Sequence, residues 1–306
     1  MTSQKITASA SGTWKLGDLT VHRIGFGAMR LPQHGEALAD GAVPRDRDRA
    51  IRVLRRAVEL GVNHIDTAAF YFSPLRSANE LINRALAPYP DDLVIATKVG
   101  PGRDPSGRWL PHATPGQLRG QVEENLRQLG RDHLDVVNLR IVGDGSIAER
   151  FGALAELREA GLVRHVGLSN VRPHHLAEAQ AIAPVVCVQN MYGIGAPSEQ
   201  RELLDLCGRQ RLAFVPFYSI AGAGRTAGAT ADHDPRVRAV ARAHGVSAAQ
   251  VRLAWTLHQG AHVLAIPGTG DLGHLAQNVA AGSLRLSEAE LAALDSAAGG
   301  DGPRAS

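Results

Sequence analysis

The sequence predicts an α/β fold closed into a (β/α)8 TIM barrel with an N-terminal β-hairpin as its cap. Short runs rich in Val and Ile alternate with helical patterns and turns along most of the chain. The runs are continuously apolar, as parallel strands covered by helices must be. No Gly-x-Gly-x-x-Gly with an acidic residue about twenty positions later opens the chain, which counts against an open doubly wound sheet. At 306 residues the chain fits one barrel core, so residues 1–306 read as a single domain.

The cap is LGDLTVHRIG (16–25), two apolar runs split by a Gly-Asp turn. The eight candidate strands are 24–29, 62–66, 93–99, 134–141, 163–170, 185–190, 212–217 and 262–268. Helical patterns lie between them, among them 48–61, 78–87, 114–130 and 147–161. Thr114 before Pro115 reads as an N-cap followed by proline at the first helical position, and Gly61, Gly130 and Gly161 read as helix stops.

Composition narrows the function. With 44% hydrophobic and 21% charged residues the chain can bury a large core. The net charge of +3 and the lack of a Lys/Arg run argue against nucleic acid and anionic membranes as partners. The densest basic stretch, 49–60, reads as the solvated face of an amphipathic helix. The two cysteines, Cys187 and Cys207, suit a reduced cytoplasm rather than a disulfide scaffold. No clustered Cys and His suggest a metal, and a cytoplasmic monomer is the expectation. Of 33 basic residues only Lys5, Lys15 and Lys98 are lysines, so a lysine kept inside the folded region is a candidate for chemistry.

In a parallel barrel the C-terminal strand ends share one mouth, where catalytic groups collect. Asp66, Lys98, Arg140, Ser169 with Asn170, and Gln189 with Asn190 end strands two to six, and Tyr71 follows in the loop 66–71. A carboxylate, a phenol and two cations at one mouth form a working set. A free phenol is a poor acid near neutrality, and adjacent positive charge lowers its pKa. Lys98 is expected to supply that charge with Asp66 holding its ammonium, while Arg140 adds field and a hydrogen bond.

Through GFGAMRL (25–31), GVNHIDTAAFY (61–71), IATKVG (95–100), LDVVNLR (134–140), GLVRHVGLSN (161–170), VCVQN (186–190) and IPGTGDLGHLAQN (266–278) the chain resembles the aldo-keto reductases over nearly its whole length. The resemblance implies a catalytic set of Asp66, Tyr71 and Lys98, with Tyr71 the proton donor to a carbonyl. Arg140 stands where that family usually has a histidine, as in a branch that includes pyridoxal reductases. It is expected to orient substrate or steady a developing alkoxide.

The resemblance also implies a nicotinamide cofactor, NADPH first and NADH possible. Ser169, Asn170 and Gln189 are expected on its carboxamide, Phe217 stacked on the nicotinamide, Gly27, Ala28 and Met29 beside it, and Tyr218, Ser219, Ile220 and Gly222 along the pyrophosphate. Gly268 and His274 replace the lysine and arginine that usually hold the 2′-phosphate. Thr269 and Gly270 are left as partners, Asp271 would repel a phosphate, and Asn278 completes the set. Expected substrate walls are Met29, Phe70, Phe72, Trp109 and Tyr192, with Tyr71 and Arg140 at the base, around a small-molecule carbonyl. Two other readings stay open: a tailoring enzyme in which Arg140 binds an acidic substrate, and a cofactor-binding regulatory subunit.

Overall fold

The computed structural model describes residues 6–39, 42–220 and 234–296. Seven parallel strands form a continuous sheet: β1 (Phe26–Gly27), β2 (His64–Asp66), β3 (Val94–Val99), β4 (Leu134–Arg140), β5 (Val163–Ser169), β6 (Val185–Gln189) and β7 (Ala213–Phe214), each paired with the next in chain order. The eighth run closes the ring without forming a full strand. Val263 bridges Phe214 and Ala265 bridges Ile24, both parallel, with Leu264 N donating to Phe214 O and Gly25 N to Ala265 O at 2.8–2.9 Å. The expected strands 24–29, 212–217 and 262–268 are thus much shorter than their apolar runs. Pro216 and Pro267 have no N–H to donate, which interrupts the ladder at each, and an isolated bridge between Met191 and Phe217 follows Pro216.

The helices follow in order: α1 (Arg47–Glu59), α2 (Ala78–Leu86), α3 (Pro115–Leu129), α4 (Ala148–Glu159), α5 (Pro173–Gln180), α6 (Ser198–Arg209), α7 (Pro235–His244), α8 (Ala248–His258), α9 (Leu272–Ala280) and α10 (Glu288–Asp295). In α1 the basic stretch is amphipathic, as expected: Ala50, Ile51, Val53, Leu54 and Ala57 are buried and the arginines face outward. Thr114 and Gln117 form a capping box at the start of α3, and Gly130 ends it at φ 64°, a left-handed conformation that suits glycine. No helix among the described residues is long and apolar enough to cross a membrane.

The hairpin, Thr13–Leu16 paired with Leu19–His22, plugs the end of the barrel opposite the mouth. Its buried Leu16 and Val21 join Val94, Ala96, Val136, Cys187, Ala213, Val215 and Leu264 in the barrel's inner cluster. Asp18 at the hairpin tip bonds Arg164 and His165 at the start of β5. Side chains alternate inward along each strand, so the inner rows run His64 then Asp66, Ala96 then Lys98, Asn138 then Arg140, Gly167 then Ser169, and Cys187 then Gln189. Gly25 and Gly167 make room for this filling, since a Cβ would run into the His64 ring in the first case and Asn138 Oδ1 in the second.

His64 is fully enclosed one layer beneath Asp66, and its Nδ1 has no partner among the described residues. Burial lowers its pKa to about 4, with Asp66 raising it and Lys98 lowering it further. The unfolded chain takes up this proton near the ordinary histidine value, whereas the fold refuses it until about pH 4. Stability should therefore fall as pH drops through that window, by about 3 kcal/mol for this one group. Urea unfolding at about pH 7 and pH 4.5 checks this: His64→Asn should flatten the decline, and a decline of the same size in the variant would contradict it.

Candidate active site

The topmost inward positions converge at the mouth. Lys98 and Asp66 are both only 3% exposed. The ammonium donates to both carboxylate oxygens, at 2.6 and 2.8 Å, and to the Thr67 carbonyl at 3.0 Å. Gln189 Nε2 adds a 2.7 Å bond to Asp66 Oδ2. Burial works to lower the Lys98 pKa, but Asp66 and Tyr71 together hold it above the ordinary lysine value. The lysine stays charged.

Tyr71 is buried between this pair and Phe70, with Lys98 Nζ 4.9 Å from its ring centre and the Phe70 ring edge-on at 5.1 Å. Burial pushes the phenol above its ordinary pKa, while Lys98 and Arg140 pull it back only in part. Lys98 does lower it, as expected, by its charge and by a side-chain hydrogen bond, but not enough to bring the phenol below its ordinary value. The Asp66 carboxylate opposes that pull, and desolvation of the phenolate is the largest influence. The consequence is a phenol that keeps its proton at neutral pH.

Arg140 ends β4 half-buried. Its Nη1 donates to Ser169 Oγ at 3.3 Å, and its guanidinium sits 5.4 Å from the Phe217 ring centre. These groups open on a cavity of about 600 Å³ whose lining includes Gly27, Met29, Phe70, Trp109, Phe217, Tyr218, Ser219, Ile220 and Gly268. That is a small-ligand volume. Within it Gln189 Oε1 is a buried acceptor with no hydrogen-bond partner among the described residues. A primary amide meets that need, so the nicotinamide carboxamide fits this position, flanked by Ser169 and the Phe217 ring.

Other expected residues stand differently. Asn170 is exposed and adopts φ 59°; its side-chain amide donates to the Ile141 carbonyl at 2.9 Å, while its backbone N–H donates to the Gln189 carbonyl at 3.0 Å. Tyr192 is not a pocket wall: it stacks on Trp255 at 5.7 Å and packs edge-on against Phe214 in the core. Phe72 lies under the Arg103 guanidinium, at 4.8 Å, outside the cavity lining. Ala28 and Asn278 are buried, Thr269 Oγ1 accepts the Asp271 N–H at 3.1 Å, and His274 is exposed in the first turn of α9. Asp271 caps that helix and pairs with Arg49 at 2.8 Å, which offsets the repulsion it would exert on a phosphate. Arg49 also holds the Gly270 carbonyl at 3.0 Å. Gly222 lies outside the described residues. Asp144, His174 and His175 gather where α5 begins, but Arg172 bonds Asp144 and the Arg172 N–H occupies His175 Nδ1, so they brace the helix start.

Two features escaped the sequence reading. The chain after β1 contributes Arg30 and residues 36–39 to the cavity wall, a run whose composition carries no signal. Behind the ion pair, Thr67, Asn79, Asn125 and Thr97 form a buried network with bonds of 2.7–2.9 Å. It fixes the backbone whose carbonyl receives Lys98. Its signal was present: Thr67 and Thr97 are the outward neighbours of Asp66 and Lys98.

Removing one partner of a buried ion pair strands the other. Lys98→Met should cost about 3–5 kcal/mol of stability, and adding Asp66→Asn to it should recover at least half, as read by urea unfolding of the single and double variants. Additive losses would show that the two charges are not coupled.

The Aldo/keto reductase family profile matches residues 23–298. Pyridoxine 4-dehydrogenase of Escherichia coli is 43% identical over 293 residues, covering 94% of this chain and 98% of that protein. Methylglyoxal reductase YeaE of the same organism is 30% identical over 285 residues, covering 92% of each. Among solved structures, an aldo-keto reductase from Klebsiella pneumoniae in complex with NADPH aligns with a TM-score of 0.75 and 28% identity over 90% of this chain and 91% of that one. A barrel with a buried lysine, aspartate and tyrosine at its mouth agrees with that match, and the chain belongs to the aldo/keto reductase family.

Proposed function

We propose that residues 1–306 act as one barrel domain that reduces an aldehyde to an alcohol with NADPH, on a substrate of the pyridoxal type. The observation that carries this is the conjunction of a protonated, buried Tyr71 with the partnerless Gln189 Oε1 in one cavity. The relative named for pyridoxine oxidation and the NADPH complex of a structural neighbour support the same reading.

Gln189 and Ser169 would hold the carboxamide, Phe217 the nicotinamide face, Tyr218 to Ile220 the pyrophosphate, and Thr269 with the Gly270 backbone the 2′-phosphate. When bound, the reduced nicotinamide supplies hydride to the carbonyl carbon. The carbonyl oxygen takes the phenolic proton of Tyr71 as the charge develops. Lys98 steadies the resulting phenolate, and Asp66 keeps the ammonium in place. Arg140 donates to the same oxygen and spreads its charge.

The test is a fluorescence titration with NADPH and NADH followed by turnover of pyridoxal and methylglyoxal. Saturable NADPH binding and faster turnover of pyridoxal are expected. Absence of saturation by either cofactor at millimolar concentration would refute the proposal, and a preference for methylglyoxal would refute its substrate class.

A further inference from the structure

Among the described residues Arg140 is a cation without a counter-ion. Its side chain bonds Ser169 Oγ and faces Phe217, and no carboxylate among the described residues pairs with it. Lys98, beside it, is neutralised by Asp66. The inner end of the cavity therefore carries uncompensated positive charge, in a place where water is partly excluded. A guanidinium also offers two parallel N–H groups where an imidazole offers one, and such a fork is satisfied by two oxygens side by side.

The cavity wall beside it is aromatic and braced. Phe70 and Trp109 stand 5.7 Å apart and tilted by 59°, with the indole 51% exposed at the mouth. Arg103 holds that wall from behind. It donates to the carbonyls of Gly107 and Phe72, at 2.7 and 3.1 Å, and its guanidinium lies 5.8 Å from the indole. A braced aromatic wall favours a flat ring over an aliphatic chain.

Resting on the reading that Tyr71 protonates a carbonyl here, we propose that the substrate is an aromatic aldehyde with an ionised hydroxyl ortho to the carbonyl, both oxygens being held by the Arg140 fork. The carbonyl oxygen then lies between Tyr71 and one arm of Arg140. The ortho oxyanion takes the other arm, and the ring rests against Phe70 and Trp109. A meta or para hydroxyl cannot reach the second arm while the carbonyl stays on Tyr71. The pyridoxal type belongs to this class because its hydroxyl adjoins the aldehyde.

The experiment compares kcat/KM for 2-hydroxybenzaldehyde, 4-hydroxybenzaldehyde, 2-methoxybenzaldehyde, benzaldehyde and phenylglyoxylate, in the wild type and in Arg140→Met. The wild type should favour the 2-hydroxy compound over its 4-hydroxy and 2-methoxy isosteres by about thirtyfold or more, on the scale of one charge-assisted hydrogen bond. Arg140→Met should shrink that ratio to about threefold or less, whatever it does to overall rate. Equal turnover of the 2- and 4-hydroxy compounds, or a ratio unchanged in Arg140→Met, would overturn the proposal. Preferred turnover of phenylglyoxylate would assign Arg140 to a carboxylate instead and overturn it too. Quenching of tryptophan fluorescence by the same aldehydes gives their affinities without turnover. If no aldehyde is reduced, the catalytic reading has failed, while equal affinities for the 2- and 4-hydroxy compounds would overturn this proposal independently.

Discussion

Two opposite charges enclosed at the top of a barrel hold this structure's active end together. Taking Lys98 and Asp66 out of water costs several kcal/mol per ion, and only excellent geometry recovers it. Here both carboxylate oxygens meet the ammonium, the Thr67 carbonyl takes a third bond, and Gln189 caps the carboxylate. The pair needs β2, β3 and β6 in fixed register, so the mouth is defined by hydrogen bonds that tolerate little drift. The Thr67, Asn79, Asn125 and Thr97 network behind it serves the same end by tying β3 and the end of β2 to α2 and α3.

The pair also sets the electrostatics around it. Asp66 opposes Lys98 at both Tyr71 above and His64 below. Burial then decides both: the phenol keeps its proton and the imidazole stays neutral. Arg140, outside the pair, retains its field toward the cavity. The site thus combines a protonated phenol, a cation locked in an ion pair beside it, and a second cation facing the cavity.

Much of this was legible in the sequence because position along a strand specifies direction. Once the apolar runs are strands of a parallel barrel, Asp66, Lys98, Arg140 and Gln189 must end at one mouth, and the pleat turns each inward. The hairpin cap was legible from Gly17-Asp18, though it pairs Thr13–Leu16 with Leu19–His22 and so begins before the expected 16–25. What was hidden depends on three-dimensional balance. Nothing in the order of residues tells that desolvation outweighs Lys98 at Tyr71, or that Asn170 turns to the Ile141 carbonyl. Tyr192 looked like a pocket wall because aromatic residues suit both roles, and only the placement of Trp255 assigns it to the core. The eighth run was read as a strand from its composition, but Pro267 leaves it to close the barrel through two bridges.

We propose that Tyr71 delivers the proton, and one variant tests this directly. Tyr71→Phe removes the phenolic hydrogen and oxygen while leaving the ring between Phe70 and Lys98. With kcat measured on an aldehyde and NADPH affinity measured by fluorescence, the variant should lose at least about a hundredfold in kcat, within the range that positioned acids contribute, and keep its NADPH affinity within about threefold. Near-normal turnover in Tyr71→Phe would contradict the account.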